Sequence, residues 1–151
     1  LAGVLVLLAL ASTAFTRVLV RRRRLGLVRG LGSKSAGKAG DPRDAPQMLA
    51  WRELRAAAVD YGHRHDPSLT AAQQGRQIIE RAGPAEAADV ELIRGAYEQT
   101  VYGPPAGDSA QGRDDLADAV ERVSSALAAG AGPLARFLAT ALPPSLFQNI
   151  R

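Results

Sequence analysis

The chain has no cysteine, so thiolate catalysis, disulfides and Cys-based zinc or iron–sulfur sites are excluded within its 151 residues. Histidine is almost as scarce. Only His63 and His65 are present, and no G-x-S-x-G sequence exists to support serine catalysis. Aromatic residues make up 5% of the chain. No stretch alternates with period two, which predicts an all-α protein without a sheet. The most informative shortage is of acid near the start. Residues 1–40 contain eight basic residues (Arg17, Arg21 to Arg24, Arg29, Lys34, Lys38) and no acidic one, whereas residues 41–151 contain eleven basic and fifteen acidic. The formal charge of +4 is therefore +8 followed by −4. A basic nucleic-acid-binding protein carries its charge on the folded part, and here that part is acidic, so no nucleic acid is expected as partner.

Leu1 to Thr16 holds no charge, and the run to Val20 is interrupted only by Arg17. Twenty helical residues reach about 30 Å, the thickness of a hydrocarbon core, which predicts a transmembrane helix over 1–20. Arg17 lies near its end, where the long stem can carry the guanidinium to the headgroups. Arg21, Arg22, Arg23 and Arg24 follow at once. Positive charge on the C-terminal flank is the reverse of a signal peptide and predicts single-pass placement in the plasma membrane, with a cytoplasmic C-terminus and contact with an anionic inner leaflet. Leu1 is not a methionine, from which the chain is expected to be a C-terminal piece of a longer membrane protein.

Residues 21–44 read as a basic, Gly-rich linker. Gly32, Gly37 and Lys38 fit G-x-x-x-x-G-K, but Ala39 stands where a magnesium-holding Ser or Thr is needed, and Gly40-Asp41-Pro42 blocks the helix that must follow. No nucleotide or other cofactor is expected.

From Ala45 the composition shifts to strong helix formers. Met48, Trp51, Leu54, Ala58 and Tyr61 form one apolar stripe ended by Gly62, and the loop that follows contains Pro67. Thr70 and Gln73 match a capping box that opens a second helix over about 71–82, presenting Ile78 and Ile79. A third helix, entered at Pro84, carries Ala88, Leu92, Ile93, Ala96, Tyr97 and Val101 on one predicted face and stops at Tyr102-Gly103. Residues 45–104 are thus expected to form a small three-helix bundle, with 105–151 as a helical extension. Within that extension Leu116, Val120, Val123 and Leu127 make a narrow seam over 113–129, its first turns crowded by Asp114, Asp115 and Asp118. These carboxylates lack the Gly-centred spacing of a calcium loop. A last apolar helix over 133–142 has three possible rests, the bundle, the membrane surface or a partner, of which packing on the bundle is the simplest.

His63 and His65, two residues apart in a loop with Asp66, are the one constellation with chemical promise. A transition metal would need a third ligand in fixed geometry, and a solvent-facing loop after a helix explains them more simply. Tyr97 and Tyr102 are expected to pack within the bundle rather than stack on a ligand.

Taken together, the apolar run, the Arg run, the Gly-rich linker, A-W-R-E-L (Ala50 to Leu54), Y-G (Tyr61-Gly62), D-P-S-L-T-A-A-Q (Asp66 to Gln73) and Y-E-Q-T-V-Y-G (Tyr97 to Gly103) resemble the C-terminal domain of unknown function of actinobacterial transglutaminase-like membrane proteins. The resemblance covers residues 1–103 and is weak beyond. It implies an extracytoplasmic Cys-His-Asp domain upstream of Leu1, none of whose triad residues exists here. It also implies a cytoplasmic partner system containing a MoxR-type AAA ATPase and a von Willebrand-like protein. On this basis the chain is expected to be a non-catalytic membrane anchor and cytoplasmic protein-interaction or regulatory module. Two other readings stand beside it: a small membrane-anchored enzyme or metal-binding domain using the His63/His65 loop, and a polybasic lipid- or nucleic-acid-binding tail.

Overall fold

A computed structural model describes residues 45–64, 66–104 and 109–133, together with Gly26. Four helices make up the body: α1 (Pro46–Asp60), α2 (Ala71–Ala82), α3 (Ala87–Tyr102) and α4 (Ala110–Gly130), with a 3-10 turn, Pro84–Glu86, leading into α3. No strand occurs among the described residues. The local chemistry explains each boundary. Pro46 sits in the first turn of α1, where its missing N–H costs nothing. Gly62, at φ +89°, takes the left-handed conformation that lets the chain leave α1. Asp66 then accepts from the Ser68 N–H (2.9 Å) and hydroxyl (2.6 Å), closing an Asx turn around Pro67. Thr70 and Gln73 form the reciprocal capping box at the start of α2, with the Gln73 N–H donating to the Thr70 hydroxyl and the Thr70 N–H donating to the Gln73 side chain.

The core gathers Ala50, Trp51, Leu54, Ala57 and Ala58 of α1, Ile78 of α2, Val90 and Ile93 of α3, and Leu116, Ala117, Ala119, Val120, Val123 and Leu127 of α4. At its centre the Trp51 and Tyr97 rings stack with centroids 5.4 Å apart. Helices α3 and α4 form the shared pair against which α1 and α2 both pack, while α1 and α2 make little direct contact. Arg81, in the last turn of α2, lies beside Gly62 at the end of α1 and beside Gly130 at the end of α4. Helices α1, α2 and α4 therefore finish at one end of the bundle, and α3 runs back from it, as the Asp89–Arg122 pair between the start of α3 and the latter half of α4 requires.

Several expectations are corrected. The three-helix bundle with an appended extension is a four-helix bundle, because the 4-3-4 stripe of α4 supplies six of the buried core residues rather than an outlying seam. No helix among the described residues is long and apolar enough to cross a membrane. Helix α4, at 21 residues, has the length, but Arg113, Asp114, Asp115, Asp118, Glu121 and Arg122 put six charges into its middle, which lipid would not tolerate. The transmembrane helix expected over 1–20, with Arg17 and its Arg21, Arg22, Arg23 and Arg24 flank, lies outside the described residues, as does all but Pro133 of the helix expected over 133–142. The membrane-anchor function and the single-pass placement with a cytoplasmic C-terminus accordingly give way to a small helical bundle without a spanning helix among the described residues.

Candidate functional site

Of the two histidines, the structure describes only His63. His63 lies half-buried in the loop after α1, facing Gln77 and the Arg81 guanidinium, and His65 lies outside the described residues. Burial, reinforced by the neighbouring Arg81 charge, lowers the His63 pKa below its ordinary value. A cation beside the ring opposes metal binding, and no group of three or more His, Cys, Asp or Glu among the described residues could hold a metal ion. The metal-binding reading of the His63/His65 loop is corrected on these grounds for the described residues.

The motif residues divide between core and surface. Trp51 and Leu54 are buried, Tyr61 and Tyr97 pack against the core, and Thr70 and Gln73 are an exposed cap. Tyr102 and Gly103 end α3 in solvent, so the expected packing of Tyr102 beside Tyr97 does not occur. A five-residue separation puts the two rings on different sides of the helix, and Trp51 takes only the first.

Helix α3 turns only part of its expected face inward: Ile93, Ala96 and Tyr97 meet the core, and the remainder does not. Val90 and Ile93 are fully buried, while Ala88, Leu92 and Val101 are exposed. Leu92 and Ile93 are adjacent and lie about 100° apart around the helix, and packing placed Ile93 inside and Leu92 at the surface. On the opposite side Ala88, Leu92, Gly95, Gln99 and Tyr102 succeed one another at spacings of four, three, four and three. Leu92 is 46% exposed and Tyr102 83% exposed, and a Cβ placed on Gly95 would meet nothing within 4 Å. The result is an outer strip in which Ala88, Leu92 and Tyr102 supply apolar surface around Gly95 and the polar Gln99, about 21 Å long at about 1.5 Å per residue and with the spacing of a helix-pairing seam.

Charge borders this strip on both sides. Arg94 is held between Glu91 and Glu98, and hydrogen bonding to the two carboxylates raises its pKa. On the α4 side Asp89 accepts two bonds from Arg122 (2.6 and 2.7 Å), which hold the Asp89 carboxyl below the usual range. Glu86 and Asp118 also lie within electrostatic range of Arg122. Five carboxylates thus face two guanidinium groups along the border. The imbalance extends to the whole half of the chain: residues 45–83 carry five Arg and four acids, whereas residues 84–133 carry three Arg and nine acids.

Asp114, Asp115 and Asp118 lie deeper in α4 than expected. Ser109 accepts from the Gly112 N–H (3.1 Å), starting the helix at Ala110, so none of the three falls in its first turn. Asp115 instead accepts from Gln111 one turn earlier. The strip on α3 was missed by the sequence reading because Leu92 had been assigned to the core. Its signal was the excess of apolar positions on α3 over what one face can bury.

Comparison with known proteins finds no matching family model, no matching curated protein and no matching solved structure, and so neither adds to nor replaces the transglutaminase-like resemblance.

Proposed function

We propose that this bundle is a protein-binding module that uses the outer face of α3 to hold a basic amphipathic segment. The observation that carries the proposal is the exposed strip Ala88–Leu92–Gly95–Gln99–Tyr102 with its surplus of carboxylates at the border. Gly95 and Ala88 allow close backbone approach, Leu92 and Tyr102 supply apolar and aromatic contact, and Glu91, Glu98 and Asp89 favour a partner whose flanks are Arg or Lys. A second copy of the same face is a poor occupant, because antiparallel pairing would set like-charged Glu91 and Glu98 rows against each other. No catalytic step is assigned to the described residues.

The test is a fluorescence-anisotropy titration of the full chain with a labelled heptad peptide carrying Leu at the seam and Lys at the flanks. Binding in the micromolar range is expected, weakening at least tenfold in the double substitution Leu92→Asp, Tyr102→Ser, with a Glu-flanked version of the peptide failing to bind. Equal binding of the Lys- and Glu-flanked peptides, or no loss in the double substitution, refutes the proposal.

A further inference from the structure

Resting on the reading of α3 as a binding face, we infer that its occupant in the isolated chain is the chain's own basic segment, residues 21–31, docked in cis. Three observations converge on this segment. The first is charge. Residues 1–40 carry eight basic side chains and no acid, and residues 84–133, which contain the strip and its border, carry a net charge of −6. The second is composition. Within 21–31, five arginines accompany Leu25, Leu27, Val28 and Leu31, so one stretch offers both the cations the border favours and the apolar contacts the strip lacks.

The third is reach. Helix α1 begins at the end of the bundle where α3 finishes, because α1, α2 and α4 all end at the opposite pole around Arg81. The chain therefore enters the described bundle near Tyr102, at one end of the strip. Residues 32–44 extend to roughly 43 Å at about 3.3 Å each, twice the roughly 21 Å from Ala88 to Tyr102 at about 1.5 Å per helical residue. Docking needs no rearrangement of the helices, and the tether keeps the local concentration of the segment in the millimolar range. An external basic segment then has to compete with the internal one, so the module binds partners weakly until 21–31 is drawn away or its charge is removed.

The experiment compares the full chain with a full-length variant in which Arg21, Arg22, Arg23 and Arg24 are replaced by Gln. A labelled peptide of residues 17–38 is titrated into each. The variant is expected to bind the peptide about tenfold more tightly, since its own segment no longer competes. The difference is expected to vanish in 1 M salt, where the Debye length falls to about 3 Å. Equal affinity of the two chains at low salt overturns the inference. Should the peptide of 17–38 bind neither chain while the Leu/Lys heptad peptide binds both, α3 remains a binding face and this occupant is wrong. Should neither peptide bind, the reading of α3 falls with it. Sedimentation of the full chain separates the remaining occupant: a concentration-dependent dimer that Leu92→Asp dissolves assigns the face to a second copy and overturns docking in cis.

Discussion

The two halves of the bundle share one core but differ in what they show to solvent. Residues 45–83, with α1 and α2, carry a net charge of +1 and include the chain's two histidines, whereas residues 84–133, with α3 and α4, carry −6 and no histidine. The halves also differ in where their apolar residues go. Helix α1 buries Ala50, Trp51, Leu54, Ala57, Ala58 and Val59, while α3 buries only Val90 and Ile93 and leaves Leu92, Val101 and Tyr102 in solvent. A helix that packs on three neighbours yet keeps large apolar side chains outside is spending no stability on them. Their position is then better explained by association than by folding.

The largest effect tests whether the halves are energetically one unit. Trp51 is 2% exposed and stacked on Tyr97 of the other half. Trp51→Ala is expected to cost about 3–5 kcal/mol in urea denaturation followed by circular dichroism, with α3 and α4 lost in the same transition. A variant that keeps half its helical signal through a second transition would break the single-core picture. Trp51→Phe, expected to cost less and to remain folded, keeps the measurement interpretable.

Smaller effects distinguish the halves. Ser124 of α4 is fully buried and its hydroxyl has no hydrogen-bond partner, so Ser124→Ala is expected to stabilise the protein by about 1 kcal/mol. In the other half Thr70→Ala removes the hydroxyl that caps the Gln73 N–H and is expected to cost about 1 kcal/mol, the reverse sign for the same kind of truncation. Chemical denaturation midpoints of the two variants, moving in opposite directions, check the pair.

Proton titration separates the halves by pH. Burial and the Arg81 charge hold the folded His63 below the ordinary imidazole range, so between its folded value and the ordinary one the unfolded chain binds more protons. Stability contributed by the α1–α2 side therefore falls as pH drops through about 6.5, and His63→Gln is expected to flatten that slope in melting curves. The hydrogen bonds from Arg122 hold the folded Asp89 below the ordinary carboxylate range, so the stability from this pair is fully present above that range and is lost as pH falls through the lower folded value. Asp89→Asn is expected to alter the acid limb of the same curve and leave the limb near pH 6 unchanged. His63 is half-buried, and Asp89 pairs with an exposed Arg122, so solvent screening keeps both effects small.

The smallest expected effect is the most diagnostic. Leu92→Ser changes an exposed side chain on α3 and is expected to shift the unfolding midpoint by less than about 0.5 kcal/mol while weakening binding of the Leu/Lys peptide. A large loss of stability would return Leu92 to the core and remove the contrast between the faces of α3.

Local chemistry was legible wherever the responsible residues are neighbours in the chain. The Thr70–Gln73 box, the Pro67 loop, the Gly62 and Gly83 exits and the Leu116–Val120–Val123–Leu127 stripe all depend on contacts within a turn or two of helix. The start of α4 was placed too late because Ser109, rather than the Asp cluster, provides its cap. The membrane anchor was inferred from residues 1–24, which lie outside the described residues, and the helices that are described bear charge too regularly to replace it.

What the sequence determined by itself is the helical character, most of the caps and stops, and the separation of positive from negative charge, because each follows from residue type and short-range spacing. Tertiary structure decided which side of α3 faces inward and that α4 completes the bundle. Adjacent apolar residues such as Leu92 and Ile93 satisfy one helix equally well in either rotation. The choice belongs to the shared core, in which Trp51 stacks on Tyr97 and Ile93 is buried together with Ile78 and Val120 while Leu92 stays outside.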